Sequence, residues 1–286
     1  MWCAIVQHDS SFLTSSDGTR LHYQSWWPDS PPRGHVQVLH GLGDHSGLHR
    51  HVVDHLLEHG YAAHAIDMRG HGRSAGQRAY VRRWSDYHSD ALTLTDRLKY
   101  RNSVQRVTLI GSSMGALLAL DLALAHPDRV NAVVAASPPL GEVGVPPALM
   151  LLARLTSRLL PRISLKTRMD LSGIAADPAV LEELLADPLF HRVGTARLAT
   201  ELDQAAERVR TGIASIQVPA LLLHGARDRM VLPRETREAV TRAPAELVRY
   251  VEYPEGYHAL FADRSGPAVL RDVTDWLELQ LEETAA

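Results

Sequence analysis

Three residues of this chain have the types that nucleophilic acyl transfer requires: Ser113, Asp228 and His258. A serine hydroxyl is a poor nucleophile at neutral pH, so it needs a base to take its proton and an acid to orient that base. Ser113 is the middle residue of Gly111-Ser112-Ser113-Met114-Gly115. The short β-branched run Val107-Thr108-Leu109-Ile110 precedes it and an Ala/Leu-rich helical pattern follows. In that setting G-x-S-x-G predicts a serine on a sharp strand-to-helix turn, with its hydroxyl exposed above a sheet. Gly111 and Gly115 lack a Cβ and let strand and helix approach closely. The start of the helix favours a developing negative charge through its free N–H groups and its dipole. Ser112 reads as a packed neighbour, because the motif assigns its central position to Ser113.

The partners of Ser113 come later and each follows an apolar run. Asp228 lies in Gly225-Ala226-Arg227-Asp228-Arg229-Met230-Val231, after Ala220–His224. His258 ends Pro254-Glu255-Gly256-Tyr257-His258, after Leu247–Tyr253. Both positions are loops at strand ends, where a rigid scaffold presents functional side chains. The plainer readings are a turn-capping aspartate and a solvated loop histidine. Glu255 and Asp263 are the rival acids nearest the base in sequence. Acyl transfer also places charge on the former carbonyl oxygen. One donor for it is the N–H of Met114, the residue after the nucleophile; the other is the N–H of Leu42, in His40-Gly41-Leu42-Gly43. A simple glycine-rich turn is the alternative for that segment.

The elements that must position these residues alternate along the chain. Ser11 to Trp27 predicts a hairpin turning at Asp17-Gly18. His35 to His40 and Tyr61 to Asp67 read as strands, with a helix over Leu48 to Glu58 that stops at Gly60. A helix over Trp84 to Tyr100, the strand Val107 to Ile110, a helix over Ala116 to Ala125 and the strand Val130 to Ala136 follow. The same rhythm returns with strand Ala220–His224, helix Arg234–Thr241, strand Leu247–Tyr253 and helix Pro267–Leu281. Repeated β-α-β units with apolar strands predict a mostly parallel sheet covered by helices on both faces. Between Ser137 and Val218 the rhythm breaks. That stretch shows no convincing strand and reads as several helices punctuated by prolines. The expected organisation is a core of residues 1–137 and 216–286 with an inserted helical cap at 138–215.

Composition narrows the classes of function. The 286 residues carry a formal charge of -3, which gives no electrostatic case for nucleic acid. Cys3 is the single cysteine, so an intrachain disulfide and a multi-cysteine metal site are excluded. No apolar stretch is long enough to span a bilayer, and the first residues do not read as a signal peptide. A cytoplasmic protein is the expectation. His51, His55 and His59 share a helix face at i, i+4, but no H-E-x-x-H pattern accompanies them, and they read as a solvated face rather than a metal site. No metal and no cofactor is expected.

Taken together the motifs resemble the α/β-hydrolase superfamily, and within it the monoacylglycerol lipase and lysophospholipase group of serine hydrolases. The resemblance runs from about Ser15 to Leu281. It is carried by His40-Gly41-Leu42-Gly43-Asp44-His45-Ser46-Gly47, Asp67-Met68-Arg69-Gly70-His71-Gly72-Arg73-Ser74, Gly111-Ser112-Ser113-Met114-Gly115, His224-Gly225-Ala226-Arg227-Asp228 and Gly256-Tyr257-His258, with Asp187-Pro188-Leu189 in the cap. It implies a cofactor-free carboxylic ester hydrolase acting on monoacylglycerols or lysophospholipids. One departure is Ala259, where many relatives carry an acidic residue after the base. The Asp67–Ser74 turn is expected to be structural. In the cap, Leu149, Leu152, Leu155 and Leu159 share one face of an apolar helix whose other face carries Arg154 and Arg158. Leu149, Leu152 and Leu155 are the expected lining of an acyl route, and the flanking arginines suit an anionic lipid surface. The competing readings are a serine hydrolase of other specificity (aminopeptidase, amidase or thioesterase) and a non-catalytic ligand receptor on the same fold. Aspartate-nucleophile chemistry is disfavoured, because the elbow carries a serine.

Overall fold

The computed structural model of the chain describes residues 7–141, 154, 156–166 and 171–285. A hairpin of β1 (Gln7–Thr14) and β2 (Arg20–Trp27) opens the fold, and Gly18 at φ +87 occupies its turn. There follow β3 (His35–Leu39), α1 (Arg50–Glu58), β4 (Ala62–Ile66), α2 (Ser85–Asn102), β5 (Val107–Ser112), α3 (Met114–Ala125) and β6 (Val130–Ala136). The chain then runs through β7 (Ser164–Lys166), α4 (Pro178–Ala186), β8 (Val193–Thr195) and α5 (Ala196–Gly212). It re-enters with β9 (Ala220–Gly225), α6 (Pro233–Val240), β10 (Val248–Tyr253) and α7 (Gly266–Ala285).

Eight strands form one sheet in the order β1-β2-β4-β3-β5-β6-β9-β10. From β4 to β10 all pairings are parallel, and β2 is antiparallel to both of its neighbours. Side chains alternate across the sheet. Val133 and Ala135 of β6 and Leu222 of β9 enter one apolar cluster with α2, α3 and α5. Val134 and Ala136 of β6, with Leu221 and Leu223 of β9, enter the other with α1 and α7. Both faces are therefore covered, which is why the central strands read as continuous apolar runs. Helix α3 is buried from Met114 through Ala123, so its sequence lacks a polar face.

Three expectations need correction. The stretch after β6 does contain strands: β7 and β8 pair antiparallel, with Leu165 opposite Gly194. At three residues each, they carry too little sequence for alternation to show, and they exist only through a partner far along the chain. The histidine face of α1 is half-buried rather than solvated. His55 reaches Thr274 of α7 at 3.3 Å, His59 bonds the His55 carbonyl at 2.8 Å, and the His51 ring stacks near His49. Among the described residues no group of three side chains gathers to hold a metal. Finally, Leu159 is 78 % exposed, whereas the neighbouring Ser157 is buried against Thr200 of α5 at 3.0 Å. Leu149, Leu152 and Leu155 lie outside the described residues. No helix among the described residues is long and apolar enough to cross a membrane.

Helix α5, inside the stretch read as an insertion, buries Leu198, Leu202, Ala205, Ala206 and Val209 in the same cluster as α3. The Asp67–Ser74 turn is a bonded knot. The Asp67 carboxylate accepts the N–H groups of Ser46 and Arg73 at 2.8 Å each and meets the His22 ring at 3.1 Å. A Cβ on Gly72, at φ +49, would fall 2.2 Å from Asp67 Oδ2.

Candidate active site

Ser113 sits between β5 and α3 with φ +54 and ψ -120, a strained conformation for a residue with a Cβ. Its surroundings enforce it. A Cβ on Gly111 would lie 2.3 Å from the Gly115 carbonyl oxygen, and one on Gly115 would lie 2.1 Å from that of Leu39. Only glycine fits at both, so strand, turn and helix close on one another. The Ser113 N–H donates to Ala136 O at 2.9 Å, and its carbonyl accepts from Ala116 and Leu117 at 2.9 and 3.1 Å. The side chain is left half-buried at the C-terminal edge of the sheet. Met114 opens α3, so its N–H has no intrahelical acceptor.

Asp228 and His258 occupy the loops after β9 and β10, the next strands but one and but two from β5 in the sheet. His258 Nδ1 and Asp228 Oδ2 are 2.7 Å apart. The other carboxylate oxygen of Asp228 accepts the N–H groups of Met230 and Val231 at 2.8 and 2.9 Å. Burial pushes the Asp228 pKa up, but the bonds from His224 and His258, the charge of His258 and the Val231 N–H together outweigh it. The carboxyl stays well below the usual carboxylate range. An ionised Asp228 makes His258 Nδ1 the protonated nitrogen and leaves Nε2 as the proton acceptor; this tautomer follows from the network. Of the rival acids, Glu255 pairs with Arg227 on the surface. Asp263 accepts the N–H groups of Ala176 and Asp177 at 2.8 and 3.0 Å.

The segment 40–44 forms a turn against Ser113. Asp44 N–H meets Gly41 O at 3.4 Å, and Gly43 takes φ +80, the value a type II turn needs at its third position. A Cβ on Gly41 would stand 3.4 Å from the Ser113 Cβ, so this backbone passes directly beside the elbow. No acceptor is found for the N–H of Leu42 among the described residues. His40 is buried, accepts the Met68 N–H on Nε2 at 3.0 Å and faces the Gly41 carbonyl through Nδ1 at 2.8 Å. Desolvation lowers its pKa, so the ring is neutral and rigid.

Several further residues support the site, in roles the sequence did not assign. His224, buried at the end of β9, approaches Asp228 Oδ2 at 3.3 Å while Thr236 and Val231 hold its ring at 3.0 Å each. Ser137, at φ +51 after β6, donates its N–H to Leu223 O and its hydroxyl to the His258 carbonyl at 3.2 Å. The His258 loop is tied further by His258 N–H to Gly173 O at 3.3 Å and Ala259 N–H to Ile174 O at 2.7 Å. The Ser137, His258 and Ala259 contacts link segments dozens of residues apart, and no local pattern announces them.

The family model described as serine aminopeptidase, S33 (Hydrolase_4) matches residues 30–265. A monoacylglycerol lipase of Mycolicibacterium smegmatis is 32% identical over 265 residues, 91% of this chain and 93% of that protein. The human monoglyceride lipase is 28% identical, covering 90% of this chain and 86% of its own length. Among solved structures, the monoacylglycerol lipase of Paleococcus ferrophilus superposes with a TM-score of 0.84 at 27% identity, over 91% of this chain and 99% of that one. The chain thus belongs to the Hydrolase_4 family of α/β-hydrolases and is a serine ester hydrolase similar to the monoacylglycerol lipases.

Proposed function

We propose that the protein hydrolyses acyl esters of the monoacylglycerol or lysophospholipid type through an acyl-enzyme on Ser113. The observation that carries this reading is the 2.7 Å His258–Asp228 bond in loops at the same sheet edge as the strained Ser113 turn. His258 Nε2 takes the Ser113 proton as Oγ attacks the ester carbonyl. The N–H groups of Leu42 and Met114 hold the resulting oxyanion, each donor worth roughly 3 kcal/mol in the transition state. His258 then returns the proton to the leaving alcohol. Water repeats the cycle and releases the fatty acid. Residues 138–215 serve as the cap, with Leu149, Leu152 and Leu155 along the acyl route. Leu159, Leu160 and Ile163 are exposed beside Arg158 and Arg162, which supports contact of this segment with a lipid surface.

The test is turnover and fluorophosphonate labelling of Ser113→Ala and Ser112→Ala, with monoacylglycerols from butyryl to oleoyl as substrates. Ser113→Ala is expected to lose both signals and Ser112→Ala to keep most of each. In the unmodified protein kcat/KM should rise with chain length, since each buried CH₂ contributes about 0.8 kcal/mol. Labelling that survives in Ser113→Ala overturns the mechanism. A flat chain-length profile with activity on aminoacyl amides favours the aminopeptidase named by the family description.

A further inference from the structure

The turn that carries Leu42 is gripped from outside by the segment after α4. His191 N–H donates to Gly43 O at 2.9 Å, and the His191 carbonyl fills the space a Cβ on Gly43 would need, 2.1 Å away. Two residues on from Gly43, His45 Nδ1 accepts the Gly47 N–H at 3.1 Å. Its ring proton is therefore on Nε2, the atom that faces Asp187 Oδ2 at 3.1 Å. That approach is off the line of a hydrogen bond, so the carboxylate holds the ring by charge against the N–H dipole. Asp187 is itself fixed, because its other oxygen accepts the Leu189 N–H at 2.7 Å. On the inner side Asp44 completes the brace, accepting the His45 N–H at 2.6 Å and the His49 ring at 2.8 Å. The carboxylate is thus aimed at a buried histidine four residues from the elbow's neighbour Gly41.

From this geometry we infer that Asp187 and His45 are positioning residues for the Leu42 N–H, a clamp through which the segment 187–191 sets the oxyanion donor. The inference rests on the function proposed above. The clamp touches no substrate; it fixes where the turn stands relative to Ser113. An oxyanion donor acts only when it is aimed at where the charged oxygen will be, not at the ground-state carbonyl. Loosening the turn therefore harms the tetrahedral state more than substrate binding.

The test compares Asp187→Asn, His45→Ala and the double variant, with Ser113→Ala alongside. Removing a whole oxyanion donor costs about 10²- to 10³-fold in kcat, so a displaced donor should cost about tenfold. The expected result for Asp187→Asn is a kcat loss of that size with KM little changed. Affinity for an alkyl trifluoromethyl ketone, which becomes tetrahedral on the serine, should fall in proportion. Affinity for the matching methyl ketone, which stays trigonal, should hold. His45→Ala should give the same loss and the double variant no more than either. Unchanged kcat in Asp187→Asn, or equal losses for both ketones with a lowered melting temperature, overturns the clamp. If Ser113→Ala keeps its turnover, the proposed mechanism fails instead, whatever Asp187 does.

Discussion

Asp228 shows how a residue's role is set by what its two oxygens touch. Oδ1 is consumed by two backbone N–H groups, which fix the carboxylate's rotation, and Oδ2 faces His258, with His224 behind it. The same two N–H bonds would satisfy a turn-capping aspartate, so the plainer reading was half right: Asp228 caps its own loop and also holds the imidazole. Asp228→Asn should fold and should lower kcat by about 10⁴-fold, because an amide can force the wrong imidazole tautomer. Glu255→Gln should leave kcat unchanged, since Glu255 pairs with Arg227 in solvent. Steady-state kinetics of the two variants separates the acids. A dead Glu255→Gln beside an active Asp228→Asn would reverse the assignment.

The elements place these residues because neighbouring strand ends are close in space whatever their distance in sequence. Asp228 and His258 meet across β9 and β10, whose register pairs Gly225 with Tyr253. The return of the chain at 171–177 is fastened to the segment after His258, and Asp263 is the fastener. It is almost fully buried, and two backbone N–H groups depend on it. Asp263→Ala should therefore destabilise the protein, by about 1–3 kcal/mol, through the donors it leaves unpaired. Activity per folded molecule should fall far less than in Asp228→Asn. Thermal melts and titrated active sites check both halves. An unchanged melting temperature would mean that residues 176–177 do not depend on this carboxylate.

Across the whole molecule, burial of neutral histidines couples stability to acid. Desolvation lowers the pKa of His64 to about 3 and those of His51 and His191 to about 4; His40 and His71 are lowered as well. In each case the unfolded chain, with histidine near 6.5, binds the proton that the folded chain refuses. Their contribution is complete above about pH 6.5 and is lost as pH falls from there toward 3. His49 works the other way. Burial lowers its pKa, but Asp44 raises it more, so its contribution is present below 6.5 and fades as pH rises through its raised value. The net expectation is a falling melting temperature between pH 6.5 and 4, with His64, His51 and His191 together taking up about three protons on unfolding at pH 5. Calorimetry in buffers of different ionisation enthalpy measures that uptake. A melting temperature independent of pH over this range would show that the rings titrate normally.

The sequence by itself determined the elements whose reasons are local. Glycines at 111 and 115 around a serine, between a β-branched run and an alanine-leucine helix, prescribe the elbow, because sterics within five residues allow little else. Apolar runs and their alternation with helices likewise prescribed the parallel sheet. Tertiary structure decided the contacts whose partners lie far apart: the β7–β8 pair, the Ser137 and Asp263 ties, and the grip of Asp187 and His191 on residues 43–45. Each rests on a few hydrogen bonds or ion pairs between segments that the folded sheet brings together. A lone Asp, Ser or His carries no periodicity, so outside the strand-end loops that point to Asp228 and His258 the sequence holds no trace of these pairings.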